Sequence, residues 1–290
     1  MTSVPDNFRP LDGRAPRLIT PPGATDCHIH LYPRGHEAEP DGLAIPAWAE
    51  PEDYRAYQRW LGLERVVLTQ PNAYQANNAA LLKGLESLGP EVARGVAVVR
   101  PDTPEKELLA LHHAGVRGAR IMQLPGGAVG IDQARAVEAR VRDYGWHLMI
   151  QFNGQSLMTY LPVLEQLKGP FIIDHLGKFM DPVAADDARV DALARLMDRG
   201  DVWFKLCAPY ESSLTGGPDF EDVGAVARRM IHHAPERVIW GSNWPHVGVP
   251  RTHYPDDVDL LDVLMRWASP AEQQRILVDN PAELYGFATP

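Results

Sequence analysis

Eight times along the chain a short apolar segment is followed by an amphipathic one, and that alternation leaves few ways to fold. The short segments are residues 24–31 (ATDCHIHL), 65–70 (RVVLTQ), 94–99 (RGVAVV), 116–122 (VRGARIM), 147–152 (HLMIQF), 171–176 (FIIDHL), 201–208 (DVWFKLCA) and 237–243 (RVIWGSN). They are rich in Val, Ile and Phe without strict polar alternation, as parallel strands covered on both faces are. Between them, stretches such as PEDYRAYQRWLG, NNAALLKGLESLG and DQARAVEARVRDYG repeat apolar residues at intervals of three and four. Most of these stretches end in Gly or Pro, which marks them as helices.

Eight such units in 290 residues, with no G-x-G-x-x-G after the first strand, predict an α/β fold of the closed (β/α)8 TIM-barrel type, not an open doubly wound sheet. Residues 1–22 read as an N-terminal extension. Residues 23–290 read as one barrel domain, closed by an outer helix and a C-terminal helical brace. The GGAVG at 126–130 lacks the Gly-Lys-Ser/Thr ending of a nucleotide loop and reads as a barrel loop with turn glycines.

The net charge of −10 argues against nucleic acid, whose phosphates need a basic surface. An anionic small molecule is still compatible, provided a cleft gathers its own cations. No apolar run reaches the roughly 18 residues of a membrane span, and a cytoplasmic location is expected. Cys27 and Cys207, both in strand-like segments, read as buried thiols. Nothing in the sequence fixes an oligomeric state.

In such a barrel, chemistry gathers at the C-terminal strand ends. The first strand ends in Asp26-Cys27-His28-Ile29-His30, and residues two apart share a strand face, so His28 and His30 project together. Such a pair can bind zinc or polarise a carbonyl. Asp26, on the same face by that count, can fix a histidine tautomer or serve as a buried structural carboxylate.

His175 closes the sixth strand, with Lys178 just beyond, and the seventh offers Lys205 and then Tyr210 and Glu211. Arg120 near the end of the fourth strand suits bidentate capture of a carboxylate, whereas Arg117 at its start suits a surface acid. Gln70 and Tyr74 after the second strand, and Gln151 and Asn153 at the fifth, can grip hydroxyl groups or simply cap loops. The eighth strand ends in Asn243, an amide, with His246 three residues on.

Taken in order, DCHIH, DHLGK, DRGDVWFK and APERVIWGSNWPH resemble the lactone-processing branch of the amidohydrolase superfamily, typified by the 2-pyrone-4,6-dicarboxylate lactonases, over about residues 23–287. The resemblance implies a barrel enzyme that acts on a carboxylated lactone without cofactor or divalent metal. Metal-dependent members place Lys or Glu after the fourth strand, His after the fifth and Asp after the eighth. Here those ends carry Met122 and Gln123, Gln151, and Asn243.

Lactonases of the branch use the strand-eight Asp as the base that activates water, and an amide cannot take that part. LPGGAV, YESS, GSNWPH and YPDD instead resemble the branch's aldarolactone isomerases. The resemblance therefore implies conversion of an aldaro-1,5-lactone, an anionic sugar lactone, to the 1,4-lactone by attack of the substrate's own hydroxyl. A metal-independent lactone hydrolase is the alternative. In the isomerase reading His28, His30 and His175 donate hydrogen bonds to the carbonyl oxygen, and Asn243 orients the attacking hydroxyl.

Overall fold

The computed structural model describes residues 4–7, 9–249 and 253–288. Eight strands, β1 (Thr25–Ile29), β2 (Arg65–Thr69), β3 (Ala93–Ala97), β4 (Val116–Gln123), β5 (His147–Phe152), β6 (Phe171–Ile173), β7 (Val202–Cys207) and β8 (Val238–Gly241), pair in parallel in sequence order. Seven helices follow the first seven strands: α1 (Pro51–Leu61), α2 (Ala79–Leu88), α3 (Glu105–His113), α4 (Ala134–Val141), α5 (Leu157–Leu164), α6 (Ala188–Met197) and α7 (Glu221–His233). After β8 come α8 (Asp257–Asp262), α9 (Leu264–Trp267), α10 (Pro270–Gln274) and α11 (Asn280–Tyr285). The predicted TIM-type barrel is the observed fold, and each predicted strand lies within a few residues of its observed bounds. No helix among the described residues is long and apolar enough to cross a membrane.

Two apolar layers hold the barrel. The larger lies between strands and helices. The smaller fills the barrel itself with inward residues from successive strands, among them Cys27, Val67, Val96, Met149, Ile172, Trp203 and Ile239, and is stoppered at the bottom by Tyr285 and Phe287. On β4 the inward position is Gly118, and the buried ring of His147 occupies the space a side chain there would need, 2.5 Å from a Cβ built on that glycine.

The seam between β8 and β1 is closed just past the end of β8, by Asn243 N–H donating to His28 O at 2.9 Å and His30 N–H donating to Trp244 O at 2.8 Å. Gly241 makes this closure sterically feasible: a Cβ there would stand 2.6 Å from His28 Cβ and 2.8 Å from its backbone nitrogen. Gly241→Ala therefore overpacks the seam at roughly 1–3 kcal/mol or more. Urea unfolding should show a lower midpoint with an unchanged slope; a wild-type midpoint would mean that the seam has slack.

Candidate active site

The β1–β2 register slips between Asp26 and Ile29, and this bulge reorders the first strand end. Cys27 packs in the barrel interior, yet the next residue, His28, also turns inward and meets Lys205. Asp26 goes the other way. Its carboxylate accepts from Tyr54 Oη of α1, from Ser242 N–H and Oγ, and from the His28 backbone, although burial still pushes it up to about 6. The expectation that Asp26 shares a face with the His28 imidazole is thus corrected, because the bulge breaks the two-residue alternation on which it stood. Arg117 also differs from expectation: it donates to the carbonyls of His112 and Val116, not to an acid.

Hydrogen bonds fix the tautomers of the histidine pair. His30 Nδ1 lies 2.9 Å from Thr69 O, a carbonyl that can only accept, so Nδ1 carries the proton. Burial lowers His30 to about 3 and holds His28 well below its ordinary value, so both rings are neutral. His30 Nε2 is then an acceptor, and His28 Nε2, 3.3 Å away, donates to it. His28 Nδ1 in turn accepts from Lys205 Nζ at 3.4 Å. Neither ring has an N–H left for a substrate oxygen, which changes the donor role expected from their spacing alone.

The charge behind them is Asp174, which its sequence context does not mark for a role. It is buried, 3.5 Å from Lys205 Nζ and from His28 Nδ1, and 3.0 Å from His175 Nδ1. Although burial works against its charge, the His175 Nδ1 contact and the Lys205 ammonium hold the carboxyl well below the usual range, so it is ionised. His175 meets this carboxylate through Nδ1 and lines the cavity above, which leaves Nε2 for a ligand. His175, Leu176 and Lys178 after β6, Ala208 after β7, and Asn243 and His246 after β8 all hold positive φ between 46° and 63°. Such a concentration of left-handed non-glycine residues at one rim is backbone strain maintained where side chains must be aimed.

A cavity of about 340 Å³ opens at this rim, lined among others by His30, Tyr32, Asn72, Arg120, Gln151, His175, Lys178, Glu211 and Asn243. Its roof is apolar, built from Leu43, Ala44 and Pro46 of the long connection after β1 and from Met122, Leu124 and Val247. Arg120 is buried and donates to Gln70 O at 2.7 Å, Gln151 Oε1 at 3.2 Å and Asn72 Oδ1 at 3.3 Å. Every acceptor is neutral and Nε has no partner among the described residues, so a cation faces the cavity without a carboxylate against it. Lys178 instead pairs with Glu211, whose carboxyl is lowered by His175 and Lys178 despite its burial.

Not every candidate reaches the wall. Gln70 turns its amide to Gln75 O and Asn77 O, Asn153 caps the turn after β5 by accepting from Gln155 N–H, and Tyr74 lines a separate outer groove. For these three, loop capping and packing won over ligand contact. Lys205 lies beneath the cavity, and Tyr210 and His246 stand behind Asn243. Tyr32, Asn72 and Glu211 join the wall instead. Tyr32 was hidden because it lies on a loop with no periodicity, bridged to Ala49.

Among the described residues one group offers clustered metal-ligand atoms: His28, Asp174, His175 and Cys207, all within 4.8 Å of one another. The donor set does not suit a divalent ion. Its single carboxylate lies 3.5 Å from the Lys205 ammonium, a fixed positive charge that opposes a second cation there.

A (β/α)8 barrel with an inward His-x-His on its first strand and an Asp-His pair after its sixth defines an amidohydrolase-type enzyme site. The family model described as amidohydrolase matches residues 25–287, and the chain belongs to that family. It is 41% identical over 281 residues to D-galactarolactone isomerase of Agrobacterium fabrum (strain C58), covering 96% of each chain. It is 32% identical over 283 residues to 2-pyrone-4,6-dicarboxylate hydrolase of Comamonas testosteroni, covering 93% of this chain and 92% of that protein. The crystal structure of an Agrobacterium tumefaciens protein without ligand matches with a TM-score of 0.93 at 40% identity, over 97% of this chain and all of that one. The resemblance read from the strand-end motifs is borne out.

Proposed function

We propose that this protein is a metal-independent aldarolactone isomerase that converts an aldaro-1,5-lactone, D-galactaro-1,5-lactone foremost, into the 1,4-lactone. The observation that carries the reading is the strand-eight amide: Asn243 Nδ2 donates to Tyr210 Oη at 2.8 Å and to Glu211 Oε1 at 3.3 Å. A group so held has no basic site for a proton of water, and its Oδ1, which has no partner among the described residues, is an acceptor for a substrate hydroxyl. The 41% identity to an enzyme named as a galactarolactone isomerase supports the same substrate class.

In this reading Arg120 takes the substrate carboxylate, and Tyr32, Asn72 and Gln151 meet the hydroxyls. Asn243 Oδ1 accepts from the substrate hydroxyl next to the attacking one, which sets the attacking oxygen over the lactone carbonyl with its single hydrogen toward His175, so the nucleophile acts at high effective concentration. His175, aligned by Asp174, takes the hydroxyl proton at Nε2 as the new C–O bond forms. It returns that proton to the ring oxygen as the old C–O bond breaks, so no water is consumed. Lys178 stands at the rim to stabilise the oxyanion. His28 and His30 serve here as a neutral, fully hydrogen-bonded wedge that keeps Lys205 in place.

A second reading, lactone hydrolysis, draws on Glu211, an ionised carboxylate on the cavity wall that can activate water. One experiment decides. Chelator-treated enzyme is given D-galactaro-1,5-lactone in ¹⁸O-water and followed by NMR and mass spectrometry. The isomerase reading expects 1,4-lactone free of label, at a rate within about twofold of untreated enzyme. Labelled open-chain acid as the first product overturns it in favour of hydrolysis.

A further inference from the structure

We infer that His246 and Asp257 are positioning residues that fix which way the Asn243 amide faces, and thereby whether the lactone meets its own hydroxyl or water. The inference rests on the isomerase reading above. Behind the cavity runs a file of hydrogen bonds: Asn243 Nδ2 to Tyr210 Oη at 2.8 Å, Tyr210 Oη to His246 Nδ1 at 3.0 Å, and His246 Nε2 to Asp257 Oδ1 at 2.5 Å. Neither His246 nor Asp257 lines the cavity.

The direction of each bond follows from the chemistry of its partners. The Glu211 carboxylate can only accept, so the amide group 3.3 Å from its Oε1 is the NH₂; Tyr210 Oη, 2.8 Å from that same nitrogen, accepts from it, and its own hydrogen goes to His246 Nδ1. A ring that accepts at Nδ1 carries its hydrogen on Nε2 and gives it to Asp257, whose Oδ1 also accepts from Tyr57 Oη at 3.0 Å. Every donor points away from the cavity, and the file ends on a carboxylate.

A flipped amide would set Asn243 Oδ1 against a Tyr210 oxygen whose hydrogen is already committed, and against the Glu211 carboxylate. Both contacts would be acceptor against acceptor in a buried site, which is costly. The file therefore admits one orientation, with Oδ1 available to the substrate. Its members are held from several sides: His246 N–H donates to Asn243 O at 2.8 Å, and Arg9 donates to His246 O at 2.7 Å. The YPDD motif thus has a use, since its last residue, Asp257, anchors the file at the start of α8.

Three variants test this. Tyr210→Phe removes the oxygen that receives the amide, Asp257→Leu removes the terminal acceptor, and Asp257→Asn keeps an Oδ1 that can accept from both His246 and Tyr57. In the first two, kcat should fall about 10- to 100-fold, KM should stay within about threefold, and the share of open-chain acid should rise at least about fivefold. Asp257→Asn should recover about tenfold of the kcat lost in Asp257→Leu.

An arm without substrate keeps the two readings apart. On protein labelled with ¹⁵N-Asn, the Asn243 side-chain NH₂ signal, assigned by its loss in Asn243→Asp, should shift and exchange faster in Tyr210→Phe and Asp257→Leu. It should stay near wild type in Asp257→Asn. An unmoved NH₂ signal in both disruptive variants, or equal damage from Asp257→Asn and Asp257→Leu, overturns the inference. If the NH₂ signal responds as stated but no ring shift occurs, the isomerase reading fails and the file stands.

Discussion

Asn243→Asp should lower lactone isomerisation by about 10- to 100-fold and should bring in hydrolysis only above neutral pH. The reason is the neighbour. Asn243 Nδ2 is 3.3 Å from Glu211 Oε1, so the substitution sets a carboxylate against a carboxylate that is already held ionised. Like charges at that distance cannot both ionise easily, and the new group is pushed up until it shares a proton with Glu211. A protonated acid is no base for water. Hydrolysis should therefore climb between about pH 7 and 9 as the shared proton leaves. The double variant Asn243→Asp with Glu211→Gln gives the carboxylate a donor in place of a rival, and should hydrolyse at least about tenfold faster than the single variant at pH 7. Product ratios by NMR across pH 6 to 9 decide it. Efficient hydrolysis by the single variant at pH 6 would show that the two carboxyls are not coupled.

Arg120→Met should cost about 1,000-fold or more in kcat/KM while leaving the melting temperature unchanged or higher, and Arg120→Lys about 100-fold, mostly in KM. Arg120 is 4% exposed and burial lowers its pKa, yet the oxygens it touches are a backbone carbonyl and two side-chain amides. A buried cation without a contacting anion is destabilising in the empty protein and ready for an anionic ligand, so its loss should separate stability from activity. Lys keeps the charge but loses the planar fork that spans Gln70, Gln151 and a substrate carboxylate. Calorimetry with steady-state kinetics reads both effects. A large drop in melting temperature for Arg120→Met would make the residue a structural tie and would remove the carboxylate subsite from the proposed mechanism.

The barrel could be read from sequence because its determinants are local and repeated: eight apolar segments, eight helical periods, and turn residues between them. His30, Arg120, Gln151, His175, Lys178 and Asn243 were also legible, since each stands at a strand end where the fold aims side chains into one mouth. What escaped depends on relations no strand shows by itself. Asp174 reads as a polar residue in an apolar strand until Lys205, from the neighbouring β7, comes within 3.5 Å. Asp257 reads as a helix-start acid until His246, 11 residues earlier, meets it. Asp26 was misplaced by one bulge, and Gln70 and Asn153 by the ordinary demand of loops for capping amides.

Each stitch that closes the barrel is made by a residue that lines its site: Asn243 N–H bonds to His28 O, and His30 N–H bonds to Trp244 O. Assembly of the site and completion of the fold are in that sense one event. A partly folded chain with β1 and β8 apart would have no residual activity, because the two halves of the constellation would belong to different edges. The converse bears on the native ensemble: the site cannot loosen at this point without breathing of the whole cylinder. Substrate bound across the seam acts as an additional cross-tie, and slower solvent exchange at the His30 and Asn243 amides is the form in which occupancy would be recorded.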